Sequence, residues 1–147
     1  MGRFPHLFAP GRIGRLEVRN RILMAPMEKN LASPSGAITQ RYIDYCEARA
    51  AGGAGLILLE SMYVHPAGKN HRFQLGLHDD AVLPGYRRLA DACHRHGAKL
   101  GAEIQFAGRE TSSAITGMQP VAPSAVPCTA VAGGDMPRAL RADEIPP

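Results

Sequence analysis

Three short apolar runs separated by two stretches of helical periodicity constrain this chain more than any other feature. "NRILMAPM" (20–27) is halted by Pro26 and suits a buried strand that ends in a loop. From Thr39 onward, Tyr42, Tyr45, Cys46 and Arg49 recur at helical spacing until Gly52 and Gly53, which suit the left-handed stop of a helix. "GLILLE" (55–60) predicts a second strand. Pro84 then suits the first turn of a second helix, in which Tyr86, Leu89, Ala90 and Cys93 share one face, Arg87, Arg88, Asp91 and Arg95 face water, and Gly97 ends it. In "KLGAEIQFAGRE" (99–110), Leu100, Ala102, Ile104 and Phe106 alternate with Lys99, Gly101, Glu103 and Gln105, the pattern of a third strand. Strand, helix, strand, helix, strand with short helix-to-strand turns predicts an α/β fold with two right-handed crossovers and a parallel sheet. Both faces of such a sheet are covered, so the Glu103 carboxylate needs a partner or a function.

The remainder changes character. Residues 107–147 form a long Pro/Gly-rich loop, and 120–147 hold six of the twelve prolines with Gly133 and Gly134. A helix start is expected at "ADEI" (142–145), and Pro146 and Pro147 stop the chain where another helix should begin. The expectation is one incomplete barrel over 1–147, with about three strand–helix units followed by that loop.

Composition excludes several classes. Seventeen Lys and Arg against thirteen Asp and Glu give a net charge of +4, but the basic residues are scattered and no run reaches five. That pattern suits a soluble protein with an anionic small-molecule ligand rather than a nucleic-acid binder. No stretch approaches the ~18 apolar residues of a membrane span, and "MGRFPHLFAP" lacks the features of a signal peptide, so a cytoplasmic location is expected. Cys46, Cys93 and Cys128 lie far apart outside any Cys-x-x-Cys pair, which predicts buried thiols and no metal site.

The compact motifs have ordinary explanations. "GGAG" (52–55) follows a helix and precedes a strand, the reverse of a phosphate loop, so it reads as a helix cap. His94 and His96 are two apart on a helix and point in different directions, which suits its C-terminus better than a metal. His65, His71 and His78 lack metal-ligand spacing and read as a solvated loop, with a general acid or base among them as the alternative. Hydrolase and phosphate-loop signatures are absent. What remains is positional: "APMEK", "ESMYVHPAGK" and "EIQFAGRE" each follow a strand, at the edge where parallel barrels collect catalytic and cofactor groups.

These segments, with "LFAPGRIGRLEVRNRI", "GLHDDAVLPGYRRLADACHRHGA", "PVAPSAVP" and "PRALRADEI", resemble the N-terminal part of the old yellow enzyme family from about Phe4 to Ile145. The resemblance implies a (β/α)8 barrel that binds FMN at its C-terminal rim and takes reducing equivalents from NAD(P)H. It further implies that Ala25, Pro26, Met27 and Glu28 lie along the flavin, that Ser61 touches it, and that Asn30 contacts substrate. Glu103 matches a position where most members carry a glutamine that meets the flavin's pyrimidine edge.

Two departures qualify the resemblance. Glu103 replaces that glutamine, and Phe106 replaces a histidine in the same motif; a carboxylate at the first position is a feature of the amine dehydrogenase branch. The cysteine through which that branch attaches flavin is Glu28 here, which excludes a covalent link by that route. Features that the family places on later strands, including the substrate anion clamp, the tyrosine proton donor and the phosphate-binding glycines, are absent from a chain shorter than the ~250 residues of a full barrel. The expected activity is hydride transfer through flavin to an activated alkene or enoyl thioester. Amine demethylation and a non-catalytic half barrel are the alternatives. Alone, the chain is expected to be inactive, and to need the missing barrel half or to self-associate.

Overall fold

The Gly14–Arg15 pair turns the chain back on itself and produces its first pairing, with Ile13 opposite Leu16. In the computed structural model, which describes residues 3–130 and 134–145, a short helix α1 (Pro5–Phe8) leads into an antiparallel hairpin of β1 (Gly11–Ile13) and β2 (Leu16–Val18). Its two-residue connection places Gly14 at φ +57°, a conformation that favours glycine.

The parallel sheet has the order β3 (Leu23–Met24), β4 (Leu56–Tyr63), β5 (Lys99–Gln105). Helix α2 (Gln40–Ala51) joins β3 to β4, and α3 (Leu83–His94) joins β4 to β5. Thr39 starts α2 by accepting the Tyr42 amide at its hydroxyl, which in turn donates to the Leu31 carbonyl at 2.5 Å. Gly52 caps α2 and Gly53 takes the left-handed turn at φ +110°, as the paired glycines predict.

Ile57, Leu59 and Met62 of β4 pack against Tyr42, Ile43, Cys46 and Ala50 of α2 and Leu89, Ala92 and Cys93 of α3. Each fully buried aliphatic side chain there contributes about 1.5–3 kcal/mol. Burial pushes the Cys46 and Cys93 thiols up to about 12 and about 11, so both stay protonated.

Several expectations are corrected. Strand pairing in the first apolar run is confined to two residues, because β3 has a partner on one side only and Pro26 has no amide to donate. β4 runs three residues past Glu60, to Tyr63. The buried face of α3 is Gly85, Leu89, Ala92 and Cys93, whereas Ala90 and Tyr86 are half-buried; the Tyr86 hydroxyl donates to Met62 Sδ and the Gly76 carbonyl. Cys128 is half-exposed rather than buried. Ala102, Ile104 (68% exposed) and Phe106 (45%) are open, because among the described residues no helix covers that side of β5.

The tail contains a turn of helix α4 (Ser113–Thr116) and a parallel pair of β6 (Val121–Ala122) and β7 (Arg138–Ala139). "ADEI" forms one 3-10 turn over Ala142–Glu144, tied down by a two-pronged Arg138–Glu144 pair. Gly133, Pro146 and Pro147 lie outside the described residues. Among the described residues no helix is long and apolar enough to cross a membrane, and no group of His, Cys, Asp or Glu could hold a metal.

Candidate functional site

The site is built where the three parallel strands end. After β3 the chain runs extended through Ala25, Pro26, Met27 and Glu28 to Asn30; Pro26 is half-buried and the other four are exposed. The Lys29 amide donates to Glu60 Oε2 at 2.6 Å, and Lys29 Nζ donates to the Met27 carbonyl at 2.6 Å. Asn30 follows at φ +53°, uncommon for a residue with a side chain. Glu28 Oε2 meets His71 Nε2 at 2.6 Å, joining the segment after β3 to the loop after β4.

Alternation decides which side chains of β4 and β5 share this rim. Leu58 pairs with Gly101, and Ser61 pairs with Glu103. The Leu58 side chain lies over Gly101, its Cδ2 2.5 Å from where a Cβ would stand. Ser61 and Glu103 sit side by side one step further along, away from the side where Ile57, Leu59 and Met62 meet the helices. Ser61 is buried, and Gln74, 1% exposed, donates to its carbonyl at 2.9 Å and to Gln105 Oε1 at 2.8 Å. Glu103 is exposed rather than enclosed, and no ion pair joins it to Arg109 among the described residues.

Behind the rim lies a buried polar group that the apolar runs do not announce. Glu60 is 0% exposed. Burial pushes its carboxyl upward, opposed by the Lys29 amide and ammonium. Burial likewise pulls the Lys29 ammonium downward. The Tyr42 hydroxyl, between them, is pushed up by burial. A carboxylate closing an apolar strand was the available signal for Glu60. Gln74 and the Glu28–His71 contact had none, since loop geometry sets them.

The histidines after β4 are not simply solvated. His65 Nδ1 accepts the Ala67 amide at 3.1 Å, His71 holds Glu28, and His78 stacks on Tyr63 at 4.6 Å between ring centres. At the end of α3, Arg95 and His96 both reach Glu47 of α2, at 3.0 and 3.2 Å. The cleft of about 310 Å³ lined by Ile13, Val18, Ile22, Leu23 and Leu56 lies at the opposite, N-terminal end of the strands, away from this rim.

Parallel strands linked by helices in this order have the architecture of the opening portion of a (β/α)8 barrel. The chain belongs to the NADH:flavin oxidoreductase / NADH oxidase family, which matches residues 6–146. It is 52% identical over 147 residues to the NADH oxidase of Thermoanaerobacter brockii, covering 99% of this chain and 22% of that protein. The old yellow enzyme homologue of Zymomonas mobilis superposes with a TM-score of 0.86 at 33% identity, over 95% of this chain and 41% of that one. A 2-naphthoyl-CoA reductase superposes equally, with a TM-score of 0.86 at 29% identity, covering 96% of this chain and 23% of the other. The chain thus spans less than half the length of each of these relatives.

The family's cofactor is FMN and its reductant NAD(P)H. The residues present fit one wall of a flavin site: a small buried serine beside a carboxylate acceptor on one sheet face, next to an extended backbone segment.

Proposed function

We propose that this chain forms the N-terminal wall of the FMN site in an NAD(P)H-dependent oxidoreductase whose substrate is an activated alkene or enoyl thioester. The observation that carries the reading is the Ser61–Glu103 pairing on one face of the parallel sheet, at the rim where Ala25, Pro26, Met27 and Glu28 run past. FMN, when bound, accepts hydride from the nicotinamide and passes it to the electron-poor substrate. The chain's own part is to shape and polarise that site. Ser61 admits a planar ring close to β4, and an ionised Glu103 accepts hydrogen bonds but donates none. Asn30, exposed at the end of the same segment, is the substrate-facing residue of this wall.

Turnover requires the remaining strands, whether from the rest of the polypeptide or from another chain. Glu103, the carboxylate associated with amine dehydrogenases in this family, supports a second reading in which the flavin runs oxidatively on an amine. The test is a chimaera in which this chain replaces the matching segment of the Thermoanaerobacter brockii NADH oxidase. A yellow, NADH-oxidising product that reduces an enoyl thioester supports the first reading. Anaerobic bleaching of the flavin by a tertiary amine supports the second, and a folded chimaera without flavin refutes both.

A further inference from the structure

Glu60 takes no part in the wall described above, yet it is a fully buried carboxylate. Such a group is costly unless something holds it. Its place in the strand explains how it comes to be there. From Leu58 to Ser61 is three residues on β4, whereas their partners Gly101 and Glu103 are two apart on β5. Unbroken alternation would put Glu60 on the face of Leu58 and turn Ser61 toward the helices. The extra residue returns Ser61 to the rim face. Glu60 itself reaches the segment after β3, where Oε2 accepts the Lys29 amide at 2.6 Å.

That segment is held from several directions at once. Lys29 Nζ bonds the Met27 carbonyl and lies 5.3 Å from the ring centres of Tyr42 and Tyr45. The Glu60 amide donates to the Tyr42 hydroxyl at 3.4 Å. Glu60 Oε1 has no hydrogen-bond partner among the described residues, while Oε2 accepts the Lys29 amide and the Asn30 amide also favours the ionised carboxylate, so the carboxylate's ties are to the backbone after β3.

We propose that Glu60 is the positioning residue of the flavin wall: the irregularity it occupies aims Ser61, and its carboxylate clamps the Met27–Asn30 backbone to the same strand. The two wall segments are then one rigid unit. The proposal rests on the flavin-wall reading and deepens it. Because the clamp needs an acceptor oxygen and not a charge, glutamine should replace Glu60, whereas methionine, similar in volume but without that oxygen, should not.

The test uses the FMN-loaded chimaera with Glu60→Gln and Glu60→Met, measuring the FMN dissociation constant and the visible-range circular dichroism of the bound flavin alongside the urea midpoint. The expected result is FMN affinity within about twofold of wild type for Glu60→Gln, and a loss of about tenfold or more with an altered flavin dichroism for Glu60→Met, the scale of one hydrogen bond to a charged group. A Glu60→Met protein that is less stable yet binds FMN normally with unchanged dichroism overturns the proposal, since Glu60 would then only support the fold. If Glu60→Met does not fold, Glu60→Ala takes its place beside Glu60→Gln: FMN affinity lost in the first and kept in the second supports the clamp, and affinity kept in both or lost in both overturns it. Wild-type chimaera that folds without FMN overturns the flavin-wall reading and this proposal together; FMN-binding wild type with indifferent variants overturns this proposal alone.

Discussion

Gly36→Ala tests whether the loop after β3 is locked onto the end of β4. Gly36 has φ +84°, and an added Cβ would overlap the Tyr63 hydroxyl and approach the Gly76 amide nitrogen to 2.9 Å. Neither neighbour yields easily. The Gly76 amide donates to the Gly36 carbonyl at 3.0 Å, and Tyr63, 3% exposed, donates to the Ser35 carbonyl at 3.1 Å. The left-handed backbone costs an alanine about 1–2 kcal/mol, and forcing atoms into a packed site adds about 1–3 kcal/mol. The expected loss is therefore about 2–5 kcal/mol, or a fall in Tm of about 2–4 °C for each of them. Gly14→Ala is the control: φ is +57° but nothing lies within 4 Å of its Cβ position, so about 1–2 kcal/mol is expected. Urea unfolding of both variants at low protein concentration, followed by far-ultraviolet circular dichroism, measures the difference. A loss for Gly36→Ala no greater than for Gly14→Ala would refute the locked loop.

In the FMN-loaded chimaera, Glu103→Gln should raise the flavin reduction potential, because a carboxylate near the pyrimidine edge repels the negative charge of reduction. A rise of ~30 mV in a spectroelectrochemical titration corresponds to about 1.4 kcal/mol for the two-electron couple, and an unchanged or lowered potential would make Glu103 a bystander. The chain alone should self-associate, since Leu23, Ile104 and Phe106 are 47, 68 and 45% exposed beside unpaired strand edges; a monodisperse monomer by light scattering would contradict this. Glu144 is held down to about 2, first by the Arg138 guanidinium and then by the Arg141 amide. Its folded value is depressed, so its contribution is present above the ordinary carboxylate value of ~4.3 and lost as pH falls through about 2. A carboxyl titration followed by carbon NMR should show that low midpoint, and a midpoint near the ordinary value would remove the ion pair.

The order of strands and helices could be read from the chain because one-sided burial imposes a period on each element. Tyr42, Cys46, Leu89 and Cys93 mark helix faces, and Gly52, Gly53 and Gly97 mark their ends. The hairpin of β1 and β2 escaped notice because each strand is three residues long, too short for alternation to stand out. Extending the same reasoning to β5 misjudged its environment: a period-two pattern identifies a strand but not whether anything covers it, and Ile104 is open. The site residues showed only as positions after strands. Ser61 faces the rim because of an irregularity that no periodicity in "GLILLESMY" reveals, and His71 reaches Glu28 through a loop fold with no sequence signature.

The one-sided pairing of β3 has a consequence for biosynthesis. In a closed barrel of about 250 residues, this first strand of the parallel sheet takes its second neighbour from the last strand made. At ~5–20 residues per second, the roughly 200 residues that separate the first and last strands of such a barrel take about 10–40 s to appear. Throughout that interval the Leu23–Met24 edge must avoid mispairing with neighbouring nascent chains, whereas the open flank of β5 waits only for the next strand. Pro26, directly beyond β3, has no amide with which to extend a wrong pairing, and the brevity of the strand limits what an intruder could zip onto.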